Sequence, residues 1–160
     1  GFQALVKSGL LPYGNFEDVT ETSPTLFYND ANQHVAKMVE TRIANTNSPW
    51  LAGVEVGDVY AIPVSHGEGK FVVTDEEFAE LRDNGQIFSQ YVDFDGKPSM
   101  DSKYNPNGSV NAIEGITSKN GQIIGKMGHS ERYEDGLFQN IPGNKDQHLF
   151  RSAVEYFTKA

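Results

Sequence analysis

The apolar residues of this 160-residue chain come in short runs, each cut off by a charge, a proline or a glycine-bearing turn. Ala4-Leu5-Val6 stops at Lys7, and Val59-Tyr60-Ala61-Ile62 stops at Pro63. A membrane-crossing helix needs about 20 apolar residues in a row, and nothing here approaches that. The chain must therefore bury its core with many short elements. Three segments carry helical signals. Phe2, Leu5, Val6 and Leu10 fall on one stripe, with Gly9 as a C-cap and Pro12 as a stop, which predicts a helix over 2–11. Thr74-Asp75-Glu76-Glu77 is a capping box, opening a helix to about Asp83 that Asn84-Gly85 closes. Leu149, Phe150, Ala153, Val154 and Phe157 share a stripe in a helix over 146–158. Strands are predicted at 35–43, 58–64, 71–73, 86–92, 112–117 and 123–127. The last two meet at Asn120-Gly121, a type I′ hairpin signal. Residues 13–24, 45–49 and 105–109 read as loops, and Asp95-Gly96 as a turn. Helices interleaved with strands give an α/β class, and the length gives one domain.

Charge and composition narrow the partners. Asp and Glu number 22 against 13 Lys and Arg, for a net charge of -9. That balance argues against nucleic acid, whose phosphates need a basic footprint, and against an anionic membrane surface. No basic segment precedes an apolar run as in a signal peptide, so the expectation is a cytoplasmic enzyme or a piece of one. The chain has no cysteine, which excludes a disulfide, a thiolate metal site or a cysteine nucleophile within it.

Two segments share a layout: an apolar strand, then a glycine-flanked His-x-Glu. One is Ser65-His66-Gly67-Glu68 and the other Gly128-His129-Ser130-Glu131. Residues just past strand ends line the site crevice in α/β folds. A histidine there can move protons near neutral pH, and a carboxylate two residues on can hold its tautomer and stabilise the imidazolium. Three readings are open: solvated turns, proton-transfer chemistry, or a metal site made by the two His and two Glu. The helical His-Glu-x-x-His pattern that would make the metal reading specific is absent. The loop Asn105-Pro106-Asn107-Gly108-Ser109 is either a plain surface turn or a display of polar groups into a site. His34 and His148 read as structural, and Trp50 as a packing anchor.

The string Met127-Gly128-His129-Ser130-Glu131-Arg132 resembles the His-x-Glu of class I, triad-type glutamine amidotransferases. Further strings resemble the C-terminal glutaminase domain of phosphoribosylformylglycinamidine synthase. They are Gly1 through Pro12, Pro63 through Phe71, Gln90-Tyr91-Val92-Asp93, Tyr104 through Ser109 and Gly115-Ile116-Thr117. The resemblance implies a class I glutamine amidotransferase-like, flavodoxin-like three-layer domain. Residues 1–160 would be its later part, with the N-terminal strands and oxyanion-hole loop missing. In that family Gly-Phe-Gln follows a Cys-Asn pair whose cysteine is the nucleophile, on an elbow like that of α/β-hydrolases. The parent would hydrolyse glutamine through a glutamyl-thioester and pass ammonia to a synthetase domain. That domain, using ATP and Mg, would convert formylglycinamide ribonucleotide to formylglycinamidine ribonucleotide in purine biosynthesis. The glutaminase domain itself would hold no cofactor and no metal.

The same resemblance assigns residues. His129 would be the general base and Glu131 its orienting partner. Gln3 would hold substrate glutamine, and the turn at Ser65, His66 and Gly67 would contact its amino-acid end. His66 and Glu68 would serve binding or domain coupling. Gly128 and Ser130 stand where many relatives carry prolines. Two alternatives compete: an amidotransferase-like binding module without a nucleophile, and a metal-dependent hydrolase using His66, Glu68, His129 and Glu131. A chain lacking its first strands would expose strand edges, so self-association is also expected.

Overall fold

A computed structural model describes residues 1–159. The chain opens with α1 (Phe2–Lys7) and a short helical turn, α2 (Leu10–Tyr13). The single predicted helix is broken because Gly9 takes a left-handed conformation, φ 80°. A Cβ there would lie 2.6 Å from the Glu17 amide nitrogen, so the crossing of residues 9 and 17 requires glycine. Then come β1 (Thr25–Phe27), β2 (Val35–Ile43), β3 (Val59–His66), β4 (Lys70–Val72), α3 (Asp75–Asp83), β5 (Ile87–Tyr91), β6 (Ile113–Thr117), β7 (Ile124–Lys126) and α4 (Leu149–Phe157).

Five strands form one sheet in the order β3-β2-β5-β6-β7, with every neighbouring pair antiparallel. β1 and β4 pair in a separate ribbon. β1 was not expected from the sequence. Ile87 and Phe88, adjacent on β5, belong to different buried clusters. Successive side chains on a strand point to opposite faces, so the sheet separates two core layers there. One layer gathers Phe2, Val6, Leu26, Phe71 and Met127; the other gathers Ile43, Leu51, Tyr60 and Leu149.

The start of α3 follows its signal: the Thr74 hydroxyl accepts from the Glu77 amide at 3.2 Å. The Glu77 side chain does not complete the box; it accepts from the Tyr13 hydroxyl at 3.4 Å. The β6–β7 connection pairs as expected, but not through a type I′ turn. Gly121 is left-handed while Asn120 is not. The Asn120 side chain instead accepts from the Ser118 hydroxyl and the Gln122 amide, which needs a longer loop. α4 is shorter than the predicted 146–158, and its stripe is only half used. Leu149 and Ala153 are buried, while Phe150, Val154 and Phe157 stay exposed. The 105–109 loop is neither surface turn nor display. Asn105, Asn107 and Ser109 are buried, and the Ser109 hydroxyl bridges the Phe71 amide and the Gly69 carbonyl. No helix among the described residues is long and apolar enough to cross a membrane.

Candidate active site

β3 is an edge strand whose far end pairs Val35 with His66 and Ala36 with Ser65. The turn after it is fixed by buried Asn29. Its Nδ2 donates to the His66 carbonyl at 2.7 Å, and its Oδ1 accepts from the Gly69 amide at 2.9 Å. At the other side of the site the chain leaves β7 and crosses to β3, where the His129 amide donates to the Pro63 carbonyl at 2.9 Å. A 3-10 turn over Ser130–Arg132 then folds Glu131 back.

That turn sets a close contact within the site. His129 Nδ1 and Glu131 Oε1 are 2.6 Å apart. With Nδ1 engaged, Nε2 is the nitrogen left to exchange a proton, and it is buried without a partner. Such an orphaned buried acceptor is costly unless something else occupies its neighbourhood during function. Burial pushes the Glu131 carboxyl up, but the bond to His129 and the charges of His129 and Arg132 outweigh it, so the group sits below its ordinary value. It remains ionised at neutral pH, the state that can stabilise an imidazolium.

The two His-x-Glu motifs meet in space. The rings of His66 and His129 stack with centroids 4.9 Å apart and 9° between planes. Burial, then the positive charges of His129, Arg132 and His34, push the His66 imidazole down to about 4, with Glu131 opposing. His66 Nδ1 accepts from the Ser65 amide at 3.2 Å, which fits the neutral ring. The equivalence of the motifs ends there. Glu68 turns to α1 and accepts from Gln3 Nε2 at 2.6 Å. His34, read from the sequence as structural, reaches Ser65 Oγ at 2.9 Å and lines the same cleft. His148 lies off it, ahead of α4, with Nδ1 3.0 Å from Asp146. Trp50 packs edge-on against Phe150 and Phe157 and also faces the cleft.

The cleft has a volume of about 820 Å³ and is lined by Gln3, Ser65, His66, Gly67, His129 and Glu131, together with Gly1. All the nominated residues are thus brought to one concavity. The metal reading loses its geometry: Glu68 faces Gln3, Glu131 faces His129, and among the described residues no three His, Asp or Glu side chains converge as a donor set. The sequence reading passed over Glu114 and Lys126, which lie under the His129 turn. The available signal was a lone charge in each of two apolar strands joined by a short loop.

The neutral His66 has a measurable consequence. In the unfolded chain a histidine protonates near 6.5, whereas here it stays neutral down to about 4. Between those values the unfolded state binds more protons, so stability is full above pH 6.5 and falls as the pH is lowered toward 4. Thermal melts across that window are expected to show this fall, and His66→Gln to flatten it. An unchanged slope in the variant would assign the acid sensitivity elsewhere.

The sequence matches the CobB/CobQ-like glutamine amidotransferase domain over residues 1–157. The chain belongs to that family. Among curated relatives it is 37% identical over 135 residues to phosphoribosylformylglycinamidine synthase subunit PurQ of Thermomicrobium roseum, covering 84% of this chain and 52% of that protein. It is 35% identical to the same-named subunit of Aquifex aeolicus, over 89% of this chain and 57% of that protein. For Koribacter versatilis the figures are 34%, 99% and 62%. The amidotransferase domain also superposes on a chain in the structure of PurLQS from Thermotoga maritima with a TM-score of 0.68 and 25% identity, over 98% of this chain and 58% of that one. Its α/β fold is thus class I glutamine amidotransferase-like. It spans between half and two thirds of the length of these relatives.

Proposed function

We propose that this amidotransferase domain supplies the proton-transfer half of a glutaminase site feeding phosphoribosylformylglycinamidine synthase. The observation that carries the reading is the His129–Glu131 pair at 2.6 Å, with Nε2 buried and free, in a chain that matches PurQ subunits over most of its length. The nucleophile would be a cysteine of the parent protein outside these 160 residues, in a Cys-Asn pair joined to Gly1, whose backbone lines the cleft.

In this mechanism His129 Nε2 takes the thiol proton, and the thiolate attacks the δ-carboxamide carbon of glutamine. The tetrahedral intermediate collapses as the imidazolium returns the proton to the leaving nitrogen, releasing ammonia and leaving a glutamyl-thioester. His129 then deprotonates water, which attacks the thioester; glutamate leaves and the thiolate is regenerated. Glu131 holds Nδ1–H throughout and offsets the positive ring charge in both transfers. Gln3 would hold substrate glutamine, and the turn at Ser65, His66 and Gly67 would contact its amino-acid end. The ammonia would pass to a separate synthetase partner that makes formylglycinamidine ribonucleotide with ATP and Mg, in the cytoplasm; no residue of this chain is assigned to ATP or Mg.

Glutamine turnover tests the reading. The full-length subunit with its synthetase partner is expected to release glutamate and ammonia from glutamine. The 160-residue chain alone, having no thiol, is expected to release none. Turnover by the short chain, or none by the full-length assembly, would overturn the mechanism.

A further inference from the structure

The turn that carries His129 has little stiffness of its own. Its flanking residues are Gly128, with no side chain, and Ser130, with a small one. Yet both are tied down, each by a different member of one buried ion pair. Glu114, on β6, is fully buried, and its Oε1 accepts from the Gly128 amide at 2.6 Å. Lys126, the last residue of β7, has a side chain only 10% exposed, and its Nζ lies 3.6 Å from Glu114 Oε1. The same Nζ donates to Ser130 Oγ at 2.8 Å and to Gln147 Oε1 at 2.8 Å. The Ser130 hydroxyl closes the triangle by donating to Gln147 Oε1 at 2.5 Å.

The packing leaves no slack. A Cβ on residue 128 would lie 2.6 Å from Ile62 Cγ2, 2.9 Å from Glu114 Oε1 and 3.2 Å from Lys126 Nζ. Glycine is therefore what lets the carboxylate reach the backbone. The pair sits in a dry setting: the Tyr91 hydroxyl is pushed well above its ordinary value by burial and then by the Glu114 charge. A buried ion pair contributes little net stability over an apolar pair of similar size. What this one adds is direction, since each charge ends on the residue directly before or after His129.

We infer that Glu114 and Lys126 are positioning residues of the glutaminase site, clamping the turn at Gly128 and Ser130 so that His129 presents Nε2 to the cleft. The inference rests on the reading of His129 as the proton-transfer group. Neither residue touches the reacting atoms; they act through the turn.

The test uses the full-length subunit with its synthetase partner. Lys126→Met alone strands the Glu114 charge, so the informative variant is Glu114→Gln with Lys126→Met. The glutamine keeps an oxygen for the Gly128 amide, and no buried charge is left unpaired. This double variant is expected to stay folded and to lose about 10- to 100-fold in kcat, the scale of a displaced catalytic group. KM should hold within about twofold, as for an interaction felt in the transition state alone. Ser130→Ala, which disturbs no buried charge, is expected to lose a smaller part of the same kcat. Combined with the double variant it should add nothing, because it removes the same link. The nitrogen NMR signals of His129 report the geometry independently of turnover, and should change from one tautomer to a mixture. Wild-type kcat and unchanged His129 signals in a folded double variant would overturn the inference. Failure of the glutaminase reading shows differently, as an inactive wild-type assembly; the His129 signals then still decide whether the clamp exists.

Discussion

His129→Ala in the full-length subunit is expected to lower kcat for glutamine hydrolysis by about 10⁴-fold or more, the scale seen when a triad loses its general base. The substitution removes a buried, unpartnered nitrogen of the cleft and leaves Glu131 without its bond to the imidazole. It should not unfold the domain. The His129 side chain is 25% exposed and packs against another imidazole rather than into either core layer. Glutamate release measured beside a thermal melt separates the two effects. A loss below about tenfold, with the fold intact, would move the proton-transfer role to another group, and the stacked His66 would be the first to examine.

Glu131→Gln is expected to cost about 10²- to 10⁴-fold in kcat with KM little changed, by analogy with neutralising the acid of a triad. The amide preserves shape and can still reach Nδ1. It removes the charge that offsets the imidazolium, and by presenting N–H it can favour the wrong tautomer. The Glu131 carboxyl is held below its ordinary value. Its protonation should therefore inactivate the enzyme only at acid pH, below the usual range of a glutamate, and the variant should lack that limb. Rates across pH on both proteins check this. A variant with wild-type kcat would reduce Glu131 to a surface partner.

Much of this is legible in the sequence alone. β2 begins and ends where its β-branched pattern does, at Val35 and Ile43. The Thr74 cap and the start of α3 followed from hydroxyl and carboxylate chemistry that is local in sequence. What failed was set by distant contacts. The first helix broke at Gly9 because residue 17 crosses it. The 105–109 loop turned inward because Asn105 and Ser109 bond to each other and the Ser109 hydroxyl accepts from the Phe71 amide of β4. The half-exposed stripe of α4 shows that a helical period locates an apolar face but not what covers it.

The site divides the same way. Strand-end His-x-Glu motifs were visible as motifs, and the spacing of two residues suffices for the His129–Glu131 bond. Their stacking on each other, and the different fates of Glu68 and Glu131, depend on how β3 and β7 lie relative to one another. The Glu114–Lys126 pair was readable in principle, since antiparallel β6 and β7 set Gly115 against Lys126 and so bring the two charges near. It was missed because a charge inside an apolar strand reads as an interruption until its partner is placed.

The most direct measurement is where a glutamine-shaped electrophile reacts. The full-length subunit would be treated with a chloroketone analogue of glutamine, with and without excess glutamine, and its peptides mapped by mass. The expected result is one label, on the cysteine of the peptide that runs into Gly1-Phe2-Gln3, blocked by glutamine and slowed in His129→Ala. A label elsewhere, or one that glutamine does not block, would contradict the assignment of this cleft as the glutaminase site.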